Sequence, residues 1–349
     1  MLVTRQPVLR RFWYAVMPLD ALDAGPQPFT LLGEPIVLWK RADGRPAALR
    51  DRCCHRTARL SKGCVDGDHL VCGYHGWTYD ADGACVRIPQ QPEGAIPPGA
   101  RVPAYRCEAR YGYAWVALEE PLKPIPVFEE DGSGRHRRIL QFHERWGTSP
   151  VRMLENSFDN AHFSFVHKAN FGLPDRPAPA PYRLDETEDG FEAETRVPVR
   201  NPPESHRITG TDEPGTERHL RNRYVLPFVR RFGCHYPASG IDHVIYNCAT
   251  PIDDRSMMLV QWLYRSDSEA DCPAQALIDW DRAITAEDRD ILESTDPDAC
   301  IDVGRREELH MASDKPGLII RRQLLALLRA HGETEVHGAI AASAQAGPC

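Results

Sequence analysis

The sequence predicts an α+β protein of two domains, on three observations. The chain has 349 residues, which is enough for roughly two domains of about 150 residues each. Residues 30–120 contain short strand-like segments with frequent turns, whereas the chain beyond residue 134 mixes helical and strand-like patterns. A proline-rich and then polar, glycine-bearing segment at 121–134 separates them and is the best linker candidate. We therefore expect domains at 1–125 and 126–335, with a flexible tail at 336–349.

The N-terminal domain is predicted to be a small all-β unit. Strand-like segments at 30–32, 35–39 and 47–49 surround a turn at Asp43-Gly44, and segments at 69–72 and 76–79 precede a second turn at Asp82-Gly83. An apolar segment at 113–118 completes the domain. Short strands and turns without a helical period favour a sheet fold.

The second domain is predicted to contain helices and strands. Residues 151–167, 274–294 and 317–330 have helical patterns, and residues 219–232 and 243–264 alternate like strands, with a turn at 251–254. From about Glu333 onward the chain is small and polar, so we expect it to be frayed.

Composition excludes several classes of protein. The chain has 42 basic and 50 acidic residues, a formal net charge of -8, and its lysines and arginines form no long run, so we expect no nucleic-acid partner. No stretch approaches about 18 uninterrupted apolar residues, so we expect no membrane span. The N-terminus lacks the pattern of a secretory signal, so we expect a cytoplasmic protein. Its 11 cysteines are then reduced thiols, and some of them are candidate metal ligands.

The first candidate metal site lies in the N-terminal domain. Cys53-Cys54-His55 is followed, after sixteen residues, by Cys72-Gly73-Tyr74-His75. A Rieske [2Fe-2S] centre takes two thiolates on one iron and two imidazoles on the other, and two mixed cysteine–histidine pairs supply this set. A structural zinc site is the alternative, but zinc modules usually pair their cysteines with each other.

The second candidate site lies at the start of the second domain. His162 and His167, together with a distant carboxylate, would form the facial triad of an iron(II) oxygenase. Alone, the two histidines would be ordinary core or surface residues. On an ideal helix they are separated by about 140°, so we expect a bend or π-bulge between them.

These segments resemble a known family, the Rieske non-haem iron oxygenases. Residues 52–56, 60–63, 72–77 and 83–85 resemble the Rieske domain, and Asn156, Asp159, His162 and His167 resemble the catalytic-domain motif N-x-x-D-x-x-H-x-x-x-x-H. Residues 309–317 and the following Arg321-Arg322 resemble the monooxygenase branch that includes vanillate and dicamba O-demethylases and the saxitoxin-pathway oxygenases. The resemblance implies a terminal oxygenase (alpha) subunit with a helix-grip, START-like catalytic domain built on an antiparallel sheet.

One position departs from the family pattern. Cys54 stands where the family commonly has proline, and we interpret its thiol as a loop-filling group rather than an additional iron ligand. Cys64 and Cys85 are expected to be buried thiols of the same sheet.

The resemblance also implies roles for individual residues. Cys53, His55, Cys72 and His75 are the implied cluster ligands. His162, His167 and Asp288 are the implied ligands of the mononuclear iron, with Glu287 and Asp290 as alternatives to Asp288. Asp159 is the implied electron bridge to His75 of a neighbouring subunit, and it lies close enough to His162 in sequence to bond its ring.

The implied activity is O2-dependent monooxygenation of a small organic substrate, by C–H hydroxylation or by O- or N-demethylation, in a head-to-tail homotrimer. Electrons would come from a separate reductase or ferredoxin, with NAD(P)H used only indirectly, since the chain contains no G-x-G-x-x-G fingerprint. The alternatives are a Rieske electron carrier with a non-catalytic docking domain and a zinc-stabilised ligand-binding protein.

The sequence also indicates which segments line a substrate pocket. We expect lining residues from the strands at 219–264 and from Phe163 and Phe165. An excess of acidic residues at 267–302 would suit a cationic substrate, and solvation of the surface explains it equally well.

Overall fold

The computed structural model describes residues 1–338. Its N-terminal part is built from short strands: β1 (Tyr14–Pro18), β2 (Gln27–Leu31), β3 (Glu34–Lys40), β4 (Pro46–Arg50), β5 (Cys64–Asp66), β6 (His69–Val71), β7 (Thr78–Tyr79), β8 (Cys85–Arg87), β9 (Ala104–Arg110) and β10 (Tyr113–Ala117). Six of them form a sheet in the order β1-β10-β9-β4-β3-β2, and β5 to β8 form a second sheet in sequence order. The prediction of an all-β domain is confirmed.

The two predicted turns of this domain are also present. Gly44 and Gly83 adopt positive φ angles of 80° and 78°, a backbone conformation that costs glycine little. Cys85 is buried as expected, at 7% exposure. The expectation for Cys64 is wrong, because this residue is exposed at the start of β5, where Val65 takes the more protected position.

The C-terminal part is built around one large antiparallel sheet. Its strands are β11 (Arg137–Trp146), β12 (Arg183–Thr187), β13 (Gly190–Arg200), β14 (Gly215–Val225), β15 (Val229–Tyr236), β16 (Ile241–Pro251) and β17 (Met257–Arg265). They are ordered β11-β17-β16-β15-β14-β13-β12. The predicted stretches at 219–232 and 243–264 correspond to two hairpins, β14–β15 and β16–β17, while β11, β12 and β13 were not predicted.

Helices cover one face of this sheet. They are α1 (Pro150–Phe158), α2 (His206–Thr209), α3 (Ala274–Leu292) and α4 (Lys315–Ala330). Leu277 of α3 is fully buried against Ile139 of β11 and Leu263 of β17, so the long helix lies on the sheet as a helix-grip fold requires. The predicted α+β class is therefore confirmed. Within residues 1–338, no helix combines the length and the apolar composition needed to cross a bilayer.

The other face of the large sheet packs against the N-terminal sheet. Tyr246 and Trp262 on the C-terminal side form one buried aromatic cluster with Tyr113 and Trp115 of β10, and the rings of Tyr246 and Trp262 stack at 5.3 Å. Because adjacent strand residues point to opposite faces, the same strands β16 and β17 carry this interface on one face and a cavity on the other.

The segment predicted as a linker does join the two sheets, but it is fixed to them. Phe128 is 5% exposed within the interface cluster, and the buried Glu130 pairs with Arg231 at 2.5 Å and accepts a hydrogen bond from the Tyr246 hydroxyl. Its proline and polar composition therefore reflects an extended path over the sheet rather than freedom from contacts.

The expectation of fraying from Glu333 onward is wrong for the part of the tail that the structure describes. The Glu335 carboxylate accepts the Ile301 N–H at 2.6 Å, and the Val336 carbonyl accepts the Leu2 N–H at 2.8 Å. These contacts attach the tail to both the N-terminal segment and the segment around Ile301. Residues 339–349, the rest of the predicted tail, lie outside the described residues.

Candidate metal centres and active-site cavity

The two cysteine–histidine loops have the same backbone turn. In the first loop, which follows β4, the Thr57 N–H donates to the Cys53 carbonyl at 3.0 Å. In the second, between β6 and β7, the Gly76 N–H donates to the Cys72 carbonyl at 2.9 Å. Both turns need a positive φ, 58° at Thr57 and 71° at Gly76. This requirement explains the glycine that directly follows His75.

The loops bring four candidate ligands to one place. The Cys53 and Cys72 side chains are buried, each 2% exposed, whereas His55 is exposed and His75 half-buried, with their ring centroids 4.7 Å apart. Burial raises the pKa of the Cys72 thiol, and the neighbouring Cys53 raises it further. The set thus has two sulfurs on the inside and two imidazoles toward the surface.

Close approach of the two loops depends on glycine. A Cβ atom on Gly63 would lie 1.8 Å from the Val71 carbonyl oxygen, and one on Gly73 would lie 2.6 Å from that of Lys62. Side chains at these positions would push the loops apart and separate the ligand pairs.

Tyr79 and Trp77 complete the surroundings of the four ligands. The Tyr79 hydroxyl lies 3.0 Å from Cys53 Sγ and 3.3 Å from Cys54 Sγ, and Trp77 stacks on the His55 ring at 4.6 Å. A hydroxyl directed at a ligand sulfur tunes the reduction potential of an iron–sulfur centre.

The second group of candidate ligands lies where α1 meets α3. His162 Nε2 and His167 Nε2 are 3.2 Å apart, and Asp288 Oδ1 is 3.4 Å from the first and 3.2 Å from the second. The His167 side chain is 2% exposed, and those of His162 and Asp288 are 12% and 16% exposed. Two imidazole nitrogens and one carboxylate oxygen therefore converge in a protected site.

The local fold differs from the predicted bent helix. Helix α1 ends at Phe158, Asp159 follows in an extended conformation, and His162–Ser164 form a short 3-10 turn. As expected, no straight helix directs both histidines at one point. The chain satisfies that requirement by leaving the helix altogether, so the expectation of a π-bulge is wrong.

The three acidic candidates on α3 occupy different environments. Asp288 faces the two histidine Nε2 atoms, whereas Glu287 Oε2 accepts from His167 Nδ1 at 2.8 Å. Asp290 is exposed. Asp159 Oδ2 lies 3.2 Å from His162 Nδ1. Each histidine ring therefore has a carboxylate at its Nδ1 atom, on the side away from the place where the two Nε2 atoms and Asp288 meet.

The charges of this group reinforce one another. Burial opposes ionisation of His162, but hydrogen bonds from its ring to Asp159 and Asp288 outweigh burial and raise its pKa to about 9. Burial likewise opposes ionisation of Asp288, yet the two histidines hold the pKa of that carboxyl well below its usual value. Without a bound metal, the His162 imidazole therefore stays protonated near neutral pH.

A cavity extends from these candidate ligands between the sheet and α3. Most of its wall is apolar or aromatic, as in most small-molecule sites. This part of the wall includes Trp146, Phe163, Phe171, Leu220, Phe232, Ile245, Leu259, Trp280 and Ile284. Strands at 219–264 supply many lining residues as predicted, and Phe163 also lines the cavity, but Phe165 is 65% exposed and does not.

Polar side chains form a chain of hydrogen bonds along the cavity floor. Asn247 Nδ2 donates to Gln261 Oε1 at 2.5 Å, and Gln261 Nε2 donates to Gln141 Oε1 at 2.7 Å. Gln141 Nε2 in turn donates to Asp281 Oδ2 at 2.5 Å. His243 Nε2 lies 3.3 Å from the other oxygen of this carboxylate. The polar side chains of the cavity floor are therefore hydrogen-bonded to one another.

Sequence reasoning missed two arginines in this cavity, Arg218 and Arg230. They were missed because a charged residue on a strand is normally assigned to the solvent side. A detectable signal exists for Arg218, because it shares the alternation phase of Leu220 and Tyr224. Of the acidic residues at 267–302, Asp281 and Asp288 reach the cavity, so the acidic segment does not make the pocket anionic.

Comparisons with known proteins agree with this arrangement. Residues 12–106 match the Rieske [2Fe-2S] domain, and residues 146–330 match the vanillate O-demethylase oxygenase C-terminal domain. The chain is 31% identical over 334 residues to methylxanthine N1-demethylase NdmA of Pseudomonas putida, covering 93% of this chain and 91% of that protein. It is 29% identical to a 5,5'-dehydrodivanillate O-demethylase oxygenase subunit of a Sphingobium strain, covering 74% of this chain and 58% of the relative.

Solved structures show the same fold. Pseudomonas putida NdmA with caffeine superposes with a TM-score of 0.81 at 28% identity, covering 94% of each chain. Dicamba monooxygenase bound to dicamba gives a TM-score of 0.80 at 22% identity, covering 93% of this chain and 98% of that one. One conclusion follows from two candidate metal-ligand sets, a cavity beside one of them, and family matches across both sheets. The chain belongs to the Rieske non-haem iron oxygenases, as a terminal oxygenase of the vanillate O-demethylase type.

Proposed function

We propose that this chain is the oxygenase component of a demethylase that acts on a methyl group bound to nitrogen or oxygen of a small organic molecule. One atom of O2 enters a methyl C–H bond and the other leaves as water, with two electrons and two protons supplied from outside. The hydroxymethyl product then releases formaldehyde. The cavity that opens on His162, His167 and Asp288 carries this proposal. The relatives named N1- and N3-demethylase, which cover 93% and 90% of this chain, favour demethylation.

The donor sets fit the two metal groups of the family. Two thiols and two imidazoles suit a [2Fe-2S] cluster held by Cys53, His55, Cys72 and His75. Two imidazoles and one carboxylate suit iron(II) held by His162, His167 and Asp288, whose ligand atoms lie within 4.8 Å of one another. When bound, the cluster supplies single electrons and the mononuclear iron supplies activation of O2.

Carboxylates behind the ligands set the orientation of the imidazoles. A carboxylate only accepts hydrogen bonds, so Asp159 and Glu287 fix the proton of each histidine on Nδ1 and leave the Nε2 lone pairs free to bind metal. The Asn156 amide donates to Asp288 Oδ1 at 3.0 Å and holds that side chain in place.

We also propose the head-to-tail homotrimer, in which Asp159 meets the Rieske loops of a neighbouring subunit at His75. The Asp159 side chain is 32% exposed, and Leu309, which is fully exposed, lines the same surface groove. Tyr74, beside His75, is 64% exposed. Large exposed apolar side chains near both redox sites are typical of an interface.

The remaining parts of the proposal concern the supply of electrons and the compartment. A separate reductase or ferredoxin delivers electrons from NAD(P)H to the cluster, since the chain has no dinucleotide fingerprint of its own. The cytoplasm suits a protein whose described cysteines, from Cys53 to Cys300, are free thiols.

A reconstituted assay tests the function. The iron-loaded protein, a surrogate reductase and a panel of N-methyl and O-methyl compounds are expected to consume O2 and to release formaldehyde in equal amounts. His162→Ala is expected to keep the Rieske visible spectrum and to lose product formation. A stable hydroxylated product without formaldehyde would contradict demethylation, and turnover by the His162→Ala variant would contradict the iron site.

A further inference from the structure

Arg218 occupies an unusual place for a charged residue. It lies on β14 in the same alternation phase as the buried Leu220, is 6% exposed, and lines the cavity. Within residues 1–338 its guanidinium forms no ion pair, and its Nε atom is buried without a hydrogen-bond partner. The Phe171 ring lies 4.1 Å from Arg218 Cζ. Such a cation–π contact offsets only part of the cost of burying an unpaired charge.

A second guanidinium increases the positive charge of the same cavity. Arg230 on β15 also forms no ion pair within the described part of the chain, and its Nε is likewise buried without a partner. Its polar contact is a long one, 3.4 Å from Nη1 to Asn247 Oδ1. Both arginines therefore retain unused hydrogen-bond donors.

The carboxylates of the cavity are already engaged elsewhere. Asp281 is held by Gln141 and by His243, and Asp288 faces the two histidines of the metal site. A bound iron(II) ion would add further positive charge. Within residues 1–338, no carboxylate of the cavity therefore forms an ion pair with Arg218 or Arg230.

We propose that the substrate is an apolar organic acid whose carboxylate or other oxyanion binds Arg218, with Arg230 increasing the positive potential around it. This inference rests on the proposed function and adds the substrate class. The Phe171 ring contacts both Arg218, whose Cζ lies 4.1 Å from the ring centroid, and the His167 ring, whose centroid lies 4.9 Å away. An anion held by Arg218 would therefore place the rest of a small aromatic or alicyclic body beside the metal ligands.

Geometry favours arginine for this task. A planar guanidinium donates two parallel hydrogen bonds to a carboxylate, which fixes orientation as well as affinity. The aromatic wall formed by Phe163, Phe171 and Phe232 suits the apolar body of the same molecule. An uncharged analogue of such a substrate would fill the same space but leave the Arg218 guanidinium unpaired.

Binding of matched pairs to the anaerobic, iron-loaded protein tests the proposal without turnover. The probes are para-methoxybenzoate with para-methoxybenzamide, 1-naphthoate with 1-naphthamide, and para-toluenesulfonate with para-toluenesulfonamide, measured by calorimetry. We expect the anions to bind about tenfold to hundredfold more tightly than the amides, since a charge-assisted pair is lost with the amide. The sulfonate pair separates a general oxyanion site from a carboxylate site.

Variants of Arg218 test whether this residue causes the preference for anions over amides. Arg218→Gln is expected to remove the preference and to leave amide binding within about twofold, whereas Arg218→Lys is expected to retain part of it because the charge remains. Arg221→Gln is the matched control, because Arg221 lies on the same strand but is exposed and paired with Glu194 at 2.9 Å. It is expected to bind both members of each pair like the parent protein.

The outcomes separate this inference from the proposed function. Anions that bind no better than their amides across the panel, or a preference that survives in Arg218→Gln, would overturn the anion site. Preferential binding through Arg218 without O2 consumption by any bound methyl compound would support the site and contradict the demethylase proposal. Turnover of neutral methyl compounds, together with anions that bind no better than their amides, would support the demethylase and contradict the anion site.

Discussion

At the scale of single residues, neighbouring carboxylates on α3 have different roles. Asp288 faces the Nε2 atoms of His162 and His167, whereas Glu287 accepts a hydrogen bond from Nδ1 of His167. The sequence alone could not separate these roles, because both residues fit the same acidic motif. Their difference comes from the rotation of about 100° between successive positions of a helix.

Replacing Glu287 tests the supporting role of its carboxylate. Glu287→Gln removes the group that orients His167, so iron affinity at the mononuclear site is expected to fall by about tenfold to hundredfold. Asp290→Asn, three positions further along α3 and exposed, is the control and is expected to bind iron normally. Equal affinities for the two variants, measured by competition with a chelator, would contradict this role.

Asp159 provides the second prediction at this scale. Asp159→Asn is expected to retain both metal centres but to slow reoxidation of the reduced cluster sharply in single-turnover experiments, because the proposed bridge to His75 of a neighbouring subunit is weakened. The visible spectrum and the iron content serve as controls for folding. Reoxidation at the parent rate would show that electrons take another path.

At the scale of elements, α1 and α4 are joined by a buried ion cluster. The Arg321 side chain is 3% exposed and pairs with Glu155 on α1 and, at 2.6 Å, with Glu308. Arg152 on α1 also pairs with Glu308, at 2.5 Å. Because α1 leads directly into the histidine segment, this cluster supports the position of the metal site.

The cluster predicts a specific response to acid. Burial raises the pKa of Glu308, but its pairs with Arg152 and Arg321 outweigh burial and lower it from 4.5 to about 2. The stabilisation is therefore complete above the usual pKa and is lost as the pH falls toward about 2. Glu308→Gln is expected to lower the free energy of unfolding at neutral pH by about 1–2 kcal/mol, after allowance for solvent screening.

The difference in the free energy of unfolding between Glu308→Gln and the parent protein should also shrink between pH 4.5 and 2. In this range the parent protein itself loses the stabilisation from the Glu308 ion pairs. Glu307→Gln is the control, because Glu307 forms a surface pair with Arg305 and is expected to change stability by less than about 0.5 kcal/mol. Parallel pH profiles for Glu308→Gln and the parent would contradict this account of the cluster.

Several elements were predictable and others were not, for physical reasons. The hairpin β16–β17 followed from alternation around a clear turn at 251–254. Strand β12 could not be predicted, since Arg183–Thr187 is a polar edge strand with little burial. Strand β11 contains a bulge between Leu140 and Phe142 that breaks its alternation. The end of α1 at Phe158 was not predicted, because the helical pattern of apolar residues continues to residue 167. The conformation beyond Phe158 depends on tertiary contacts.

At the scale of the whole molecule, the proposed trimer determines whether the two redox sites work together. The surface groove beside Asp159 contains Leu309, and Met311, two positions later, is 67% exposed. Burial of such side chains against a neighbouring subunit would contribute to assembly.

Introducing charge at this groove tests the assembly. The double variant Leu309→Asp and Met311→Asp is expected to sediment as a monomer, to keep both metal centres, and to lose most of its turnover. A variant with charge at Val303, which is 45% exposed elsewhere on the loop, serves as the control and is expected to remain a trimer. Full turnover by a monomeric form would contradict the requirement for a neighbouring subunit.

The most direct test of the central claim, that one chain carries a Rieske cluster and a separate mononuclear iron, is a count of metals. Anaerobically purified and iron-reconstituted protein is analysed for iron, zinc and acid-labile sulfide per chain. We expect about three irons and about two sulfides per chain, and we expect the Asp288→Ala variant to lose about one iron and no sulfide. Two irons with two sulfides in the parent protein, or zinc in place of iron and sulfide, would contradict it.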